Sequence, residues 1–234
     1  MTDWAVELKD VKKTYRTGTI EVPALRGISL QVAPGEFLAI AGPSGSGKTT
    51  LLNIIGGLDR ADTGEVIVGG RNLQILSTGE LARVRLRSLG FVFQAYNLLP
   101  VLTALENAEF TLLLQGMPAD KRRERVKRLF SEIGLAGLED RRPGDLSGGQ
   151  QQRVAVARAI VTEPVLILAD EPTANLDSVT ALALLKVMEQ LNRAHGTTFV
   201  YATHDQLVMK RARRFIGMRD GQIHTDVAHA PPEV

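Results

Sequence analysis

Nine residues, GPSGSGKTT at 42–50, constrain this chain more than any other stretch of its 234 residues. They match G-x-x-x-x-G-K-[ST], a pattern that binds phosphate only where an apolar strand delivers the loop and a helix opens from it. Both flanks are present: FLAIA runs into the loop and KTTLLNII runs out of it. Gly42, Pro43, Ser44, Gly45, Ser46 and Gly47 form the loop, whose glycines let successive backbone N–H groups close around an anion at a helix N-terminus. Lys48 is then expected to reach β and γ phosphates and Thr49 to offer its hydroxyl to Mg²⁺, with Thr50 counted among the ATP-binding residues of the motif. A chance glycine loop would lack the strand and helix on either side.

Strands and helices alternate around this loop. GISLQVAPGEFLAIAG reads as two strands about Pro34-Gly35, and EVIVGG at 65–70 as another. Ser77 three before Glu80 forms a capping box opening a helix to about Ser88, and GFVFQ returns as a strand. From Ala95 to about Thr162 the pattern is helical, with a second capping box at Thr103 and Glu106, Pro118 at a helix start, and interruptions at Gly134 and Gly137. Strands resume at VLILAD. A helix with apolar Leu182, Leu185, Met188 and Leu191 follows, then a strand TTFVYATHD, and RRFIGMRDGQIH, in which Asp220-Gly221 predicts a hairpin. The expected organisation is a nucleotide-binding α/β core of residues 1–94 and 163–224, an inserted helical lobe at 95–162 with its own functional motif, and a disordered tail at 225–234.

Composition narrows the class. With 44% hydrophobic residues the chain can fill a sizeable core. It has no cysteine, which removes disulfides and thiolate metal sites. No apolar run approaches the roughly 18 residues of a membrane span, and the opening lacks the apolar segment of a leader. The net charge of +2 gives little support for nucleic-acid binding, so none is expected. The basic run KRRERVKR at 121–128 reads as a solvated helix face.

Two further stretches carry chemistry. VLILADEP ends a buried strand in adjacent carboxylates: Asp170 suits an outer Mg²⁺ ligand, leaving Glu171 to orient or deprotonate water. The plainer alternative is two capping carboxylates before the turn at Pro172. LSGGQQQR at 146–153 contains a capping box, Ser147 with Gln150, so a well-made helix start is its simplest reading. Capping needs no glycines, however, and Gly148 and Gly149 expose bare N–H groups that a large anion can approach. This second phosphate cradle must close on a nucleotide from the side opposite the first, on its own chain or on another.

GPSGSGKTT, LSGGQQQR, LILADEPT, ANLD and ATHD, in this order and spacing, resemble the ATP-binding cassette ATPases that power ABC transporters, over nearly the whole chain. The resemblance implies an α/β fold: a P-loop NTPase core with an antiparallel β subdomain and an inserted helical subdomain. It implies ATP and Mg²⁺ as cofactors and a head-to-tail pair of chains, in which Ser147 and Gly149 of one contact the γ-phosphate held by Lys48 of the other. It also implies roles for single residues. Gln94 meets Mg²⁺ or the attacking water and tilts the lobe, Asp177 crosses the dimer interface, His204 contacts the γ-phosphate, and Tyr15 stacks on adenine. By themselves these four read as a strand-end glutamine, a helix N-cap, a turn histidine and a packed strand aromatic.

YRTGTIEVPALRGISL, NIIGGLDRADTGEV and FVFQAYNLLPVLTALENAEFTLLLQG are most similar to the bacterial lipoprotein-releasing, macrolide-export and peptide-export group, although Gln150 stands where many of that group carry glutamate. The resemblance implies an integral membrane permease subunit on a separate chain, docked near Gln94, and a peripheral position on the cytoplasmic face of the inner membrane. The length leaves no room for the coiled-coil insertion of a chromosome ATPase, and the single motif set argues against a two-cassette translation factor. A nucleotide-dependent cell-division scaffold stays open as the alternative.

Overall fold

The computed structural model describes residues 4–204, 209 and 211–228. Its frame is a six-stranded sheet whose central strands are buried on both faces. The strands are β3 (Phe37–Ala41), β6 (Leu89–Phe93), β7 (Leu166–Asp170), β8 (Thr198–Thr203), β9 (Arg214–Arg219) and β10 (Gln222–Ala228), in the order β10-β9-β3-β8-β7-β6. All neighbours are parallel except the β9–β10 hairpin. Burial on both sides explains why β3 and β8 read as unbroken apolar runs.

Alternate side chains divide the strands between two cores. Phe37, Ala39, Ile167, Phe199 and Tyr201 face one way, towards α3 (Ala104–Leu114), α4 (Ala119–Glu132), α5 (Gly148–Ile160) and α6 (Ser178–His195). Leu38, Ile40, Leu168, Val200 and Ile216 face the other, towards α1 (Lys48–Ile55), α2 (Thr78–Ser88) and a second sheet. That sheet is antiparallel throughout: β1 (Val6–Thr17), β2 (Ile20–Val32), β4 (Thr63–Val68) and β5 (Arg71–Asn72), in the order β2-β1-β4-β5. The two strands around Pro34-Gly35 therefore belong to different sheets. Helices α3, α4 and α5, between β6 and β7 in sequence, share their apolar cluster with the sheet face they cover.

The three capping boxes are present with both reciprocal bonds, at Ser77 and Glu80, Thr103 and Glu106, and Ser147 and Gln150. Asp220 (φ 49°) and Gly221 (φ 75°) form the left-handed pair that a two-residue hairpin turn needs. Most of the basic run in α4 is solvated, but Arg122 turns inward to Glu109 at 3.4 Å. In α6, the expected Leu185, Met188 and Leu191 are buried, but Leu182 is only half-buried and Ala181 and Leu184 fill the core in its place.

The expected disordered tail needs one correction. Residues 225–228 belong to β10, because Arg214 clamps Asp226 with two bonds of 2.7 Å across the hairpin. The guanidinium bonds hold the Asp226 carboxyl below its usual range. Residues 229–234 lie outside the described residues, as does Asp205 at the end of the strand expected at TTFVYATHD.

Candidate nucleotide site

The phosphate loop joins β3 to α1 and is braced from behind. Gly45 (φ 80°) and Gly47 (φ 100°) hold left-handed backbone that few side chains tolerate. Ser46 is buried, and its carbonyl accepts from Gly221 N–H at 3.1 Å, so the β9–β10 turn supports the loop from below. Lys48 is also buried. Its ammonium curls back to donate to the carbonyls of Gly42 at 2.8 Å and Pro43 at 3.1 Å, bonds it can exchange for phosphate oxygens.

A cavity of about 580 Å³ brings together Ser44, Gly45, Gly47, Lys48, Thr49 and Thr50 with Tyr15, Gln94, Glu171 and His204. Gly42 and Pro43 line an adjoining cavity that also reaches His204. Ser147, Gly148, Gly149, Gln150 and Asp177 line neither. The sequence-derived site thus falls into two groups within one chain.

In the first group, Tyr15 projects from β1 with one side already occupied. Its hydroxyl donates to Asp59 at 2.8 Å, and the Lys13 ammonium lies 5.2 Å from its ring centroid and 2.9 Å from Asp59. Burial, then the bond to Asp59, raises the Tyr15 pKa. Gln94, one residue beyond β6, is fixed by Asn175, whose amide donates to the Gln94 carbonyl at 3.0 Å and accepts from its side chain at 3.5 Å.

Asp170 ends β7 beneath the loop. Burial raises its pKa, opposed by a hydrogen bond from Thr49 and the charge of Lys48, and reinforced by the charge of Glu171. Its Oδ1 is buried without a hydrogen-bond partner. An orphaned carboxylate oxygen beside a threonine hydroxyl fits Mg²⁺, which takes one or two protein oxygens and completes its shell with phosphates and water. Among the described residues no cluster of three or more His, Cys, Asp or Glu offers an all-protein metal cage.

Glu171 and His204 are brought together from 33 positions apart, with Glu171 Oε1 2.7 Å from His204 Nδ1. Glu171 has φ 47°, left-handed and strained for a residue with a side chain. Nothing in the spacing of ADEPT and ATHD announces this pair.

The second group sits where α5 meets α6. Ser147 caps α5, and Asp177 caps α6 by accepting from the N–H groups of Val179 and Thr180, both at 3.0 Å. The cap is the structural role that the sequence alone suggested for Asp177. The glycines have a reason that the sequence did not show. A Cβ on Gly149 would meet Thr180 Cγ2 closer than 3.0 Å, and one on Gly148 would lie 2.9 Å from the Tyr96 hydroxyl. Gln152, also unremarked in the sequence, is fully buried and donates to the carbonyls of Pro172 and Phe93. Its signal was a polar residue at helical spacing from Gly149, Val156 and Ala159 on the buried face of α5.

A strand-loop-helix phosphate cradle, an orphaned carboxylate under it and a glutamate at the next position define a nucleoside-triphosphate-binding P-loop protein. Comparison with known proteins gives the family. Residues 25–174 match the family described as ABC transporter, and the chain belongs to it: it is an ATP-binding cassette ATPase. It is 48% identical over 218 residues to an uncharacterized ABC transporter ATP-binding protein of Thermotoga maritima, with 93% of each chain covered. It is also 48% identical over 223 residues to a macrolide export ATP-binding/permease protein MacB of Syntrophobacter fumaroxidans, covering 94% of this chain and 31% of that one. The chain spans about a third of the length of the MacB relatives it matches. Among solved structures, it is similar to the dimeric ABC transporter cassette MJ0796 with a TM-score of 0.88 and 42% identity, covering 95% of this chain and 98% of that one. A post-hydrolysis dimer of MJ0796 bound to ADP and Pi gives a TM-score of 0.87 at the same identity and coverage. MJ0796 is a protein of Methanocaldococcus jannaschii.

Proposed function

We propose that the chain hydrolyses ATP as one half of a head-to-tail pair of identical chains and uses that cycle to drive an integral membrane permease subunit on a separate chain. The observation that carries this reading is the division of the site: the nucleotide cavity holds the phosphate loop, Tyr15, Gln94, Glu171 and His204, but none of Ser147–Gln150. A second copy, docked with its α5 N-terminus towards this cavity, supplies the missing donors. The dimeric structures of MJ0796, one of them holding ADP and Pi, support the arrangement.

Each residue then has a task. Tyr15 stacks on adenine while Lys13 and Asp59 hold its orientation. The loop N–H groups and Lys48 bind the phosphates. Thr49, Asp170 and Gln94 would hold Mg²⁺, which would supply charge neutralisation to the phosphates. Glu171 accepts a proton from the attacking water, and its bond to His204 fixes the carboxylate beside the γ-phosphate that His204 contacts. Ser147 and Gly149 of the partner close over that phosphate, with Asp177 at the seam.

The segment at 95–162 acts as the lobe that Gln94 moves. Beside it, a cavity of about 390 Å³ is lined by Leu58, Arg85, Phe91, Phe93, Asn97 and Arg158. A permease segment docks there, which places the chain at the cytoplasmic face of the membrane; among the described residues no helix is long and apolar enough to cross it. The MacB relatives, named as joint ATP-binding and permease proteins, support an export role.

Glu171→Gln tests the reading. It preserves size and hydrogen bonding but removes the base, so MgATP should bind, stay, and hold two chains together. Size-exclusion chromatography with light scattering should show an ATP-dependent dimer, which Ser147→Arg in the same chain should abolish. A monomer at saturating MgATP in Glu171→Gln would overturn the paired-chain reading. A wild-type chain that dimerises with ATP but never turns over would be a nucleotide-dependent scaffold instead.

A further inference from the structure

Gln152 is fully buried, one turn into the helix that Ser147 caps. Its amide nitrogen donates to Pro172 O at 2.6 Å and to Phe93 O at 3.3 Å, while its Oε1 is buried with no partner. An orphaned buried acceptor destabilises the folded chain. The useful half of the side chain is therefore its two donors, and both go to carbonyls next to site residues: Pro172 follows Glu171, and Phe93 precedes Gln94.

Glu171 needs such support. A left-handed backbone on a non-glycine residue persists only where its surroundings over-determine it. Glu171 N–H donates to Ala202 O at 3.0 Å, and Glu171 O accepts from Ala174 N–H at 3.2 Å. The next carbonyl, that of Pro172, is held by Gln152. Displacing α5 along its axis would move this amide and, through the Pro172 carbonyl, the turn that follows Glu171.

We propose that Gln152 is a positioning residue through which the Ser147 end of α5 sets Glu171 and Gln94. The proposal rests on the paired-chain reading. There, Ser147 faces the nucleotide on the partner's loop, while Glu171 acts on the nucleotide of its own loop. Gln152 consequently links the two ATP sites, and filling one aligns the glutamate of the other. Coupling of this kind is carried by packed, hydrogen-bonded contacts between elements, and the Gln152 bonds to Pro172 and Phe93 are such a contact.

The test is Gln152→Met, which keeps length and volume but has no donors. Its kcat should fall about 10- to 100-fold and its Hill coefficient for ATP should drop to about 1, while ATP affinity and ATP-driven dimerisation in the Glu171→Gln background stay within about twofold of their parents. Unchanged kcat and Hill coefficient would overturn the proposal, and so would a loss of kcat matched by equal losses of affinity and dimerisation. If Glu171→Gln alone stays monomeric, the paired-chain reading fails and the link between two sites fails with it; the split between kcat and affinity separately reads whether Gln152 positions Glu171 within one chain. Gln152→Asn, whose amide is withdrawn by one methylene, is the second variant and should show the same split. If neither variant folds, Gln152 is a packing residue and the proposal is wrong.

Discussion

Replacing Gly149 by alanine distinguishes two reasons for a glycine there. If its purpose is only to let a phosphate approach bare N–H groups, the nucleotide-free chain should tolerate a methyl group. The structure forbids it. The added Cβ would approach Thr180 Cγ2 closer than 3.0 Å, where ordinary contact begins at 3.4 Å. Thr180 has no easy escape, because its hydroxyl donates to Asp177 Oδ2 at 2.6 Å and rotation about χ1 would break that bond. Overpacking of this kind costs about 1–3 kcal/mol. Alanine's better helix propensity returns at most about 1 kcal/mol, less in a first turn. The expected net loss is about 1–2 kcal/mol, which for a chain of this size lowers Tm by roughly 2–8 °C. Urea unfolding of the nucleotide-free monomer measures it. Thr180→Ser deletes the offending methyl and keeps the hydroxyl, so Gly149→Ala should cost at least about 1 kcal/mol less in that background. A stable Gly149→Ala single variant, or a cost unchanged by Thr180→Ser, would refute the packing argument and leave phosphate access as the glycine's sole purpose.

Tyr15→Ala should weaken ATP binding by about tenfold, the loss of one base-stacking contact of about 1.4 kcal/mol, whereas Tyr15→Phe keeps the ring and should lose less than about threefold; titration calorimetry at fixed Mg²⁺ checks both. Equal losses in the two variants would place the adenine elsewhere. Asp170→Asn should stabilise the nucleotide-free chain at neutral pH while abolishing Mg²⁺-dependent hydrolysis. Burial raises the Asp170 pKa, so folding favours its neutral form. The stability it contributes is full below the unfolded-state pKa and is lost as pH rises through the folded-state value. The melting advantage of Asp170→Asn should accordingly shrink as pH falls into the carboxylate range, and a variant less stable than wild type at pH 7 would contradict this account.

Most of what was legible in the sequence was local. Lys48 and Thr49 follow their glycines directly, and the capping boxes at Ser77, Thr103 and Ser147 join residues three apart, so each is written within one turn of chain. Periodicity likewise announces which positions are buried, and it identified β3, β8 and most of the inward face of α6. It does not say what they are buried against. The meeting of Glu171 with His204 and the support of Tyr15 by Asp59 join positions 33 and 44 apart in sequence, and the parallel strand order joins elements with helices or a whole sheet between them. The reach of Gln152 to Pro172, 20 positions away, and the closeness of Gly149 to Thr180 are likewise contacts between separate elements that no local pattern announces. The end of the last strand, residues 225–228, was missed because Asp226 looks like a tail residue until Arg214 lies across from it. The sequence determined the phosphate loop, the caps and the alternation of elements, because short-range hydrogen bonds and side-chain periodicity decide those. The tertiary structure alone decided which carbonyl, methyl or carboxylate each of these elements meets, because such contacts exist only once two cores have closed on the faces of one sheet.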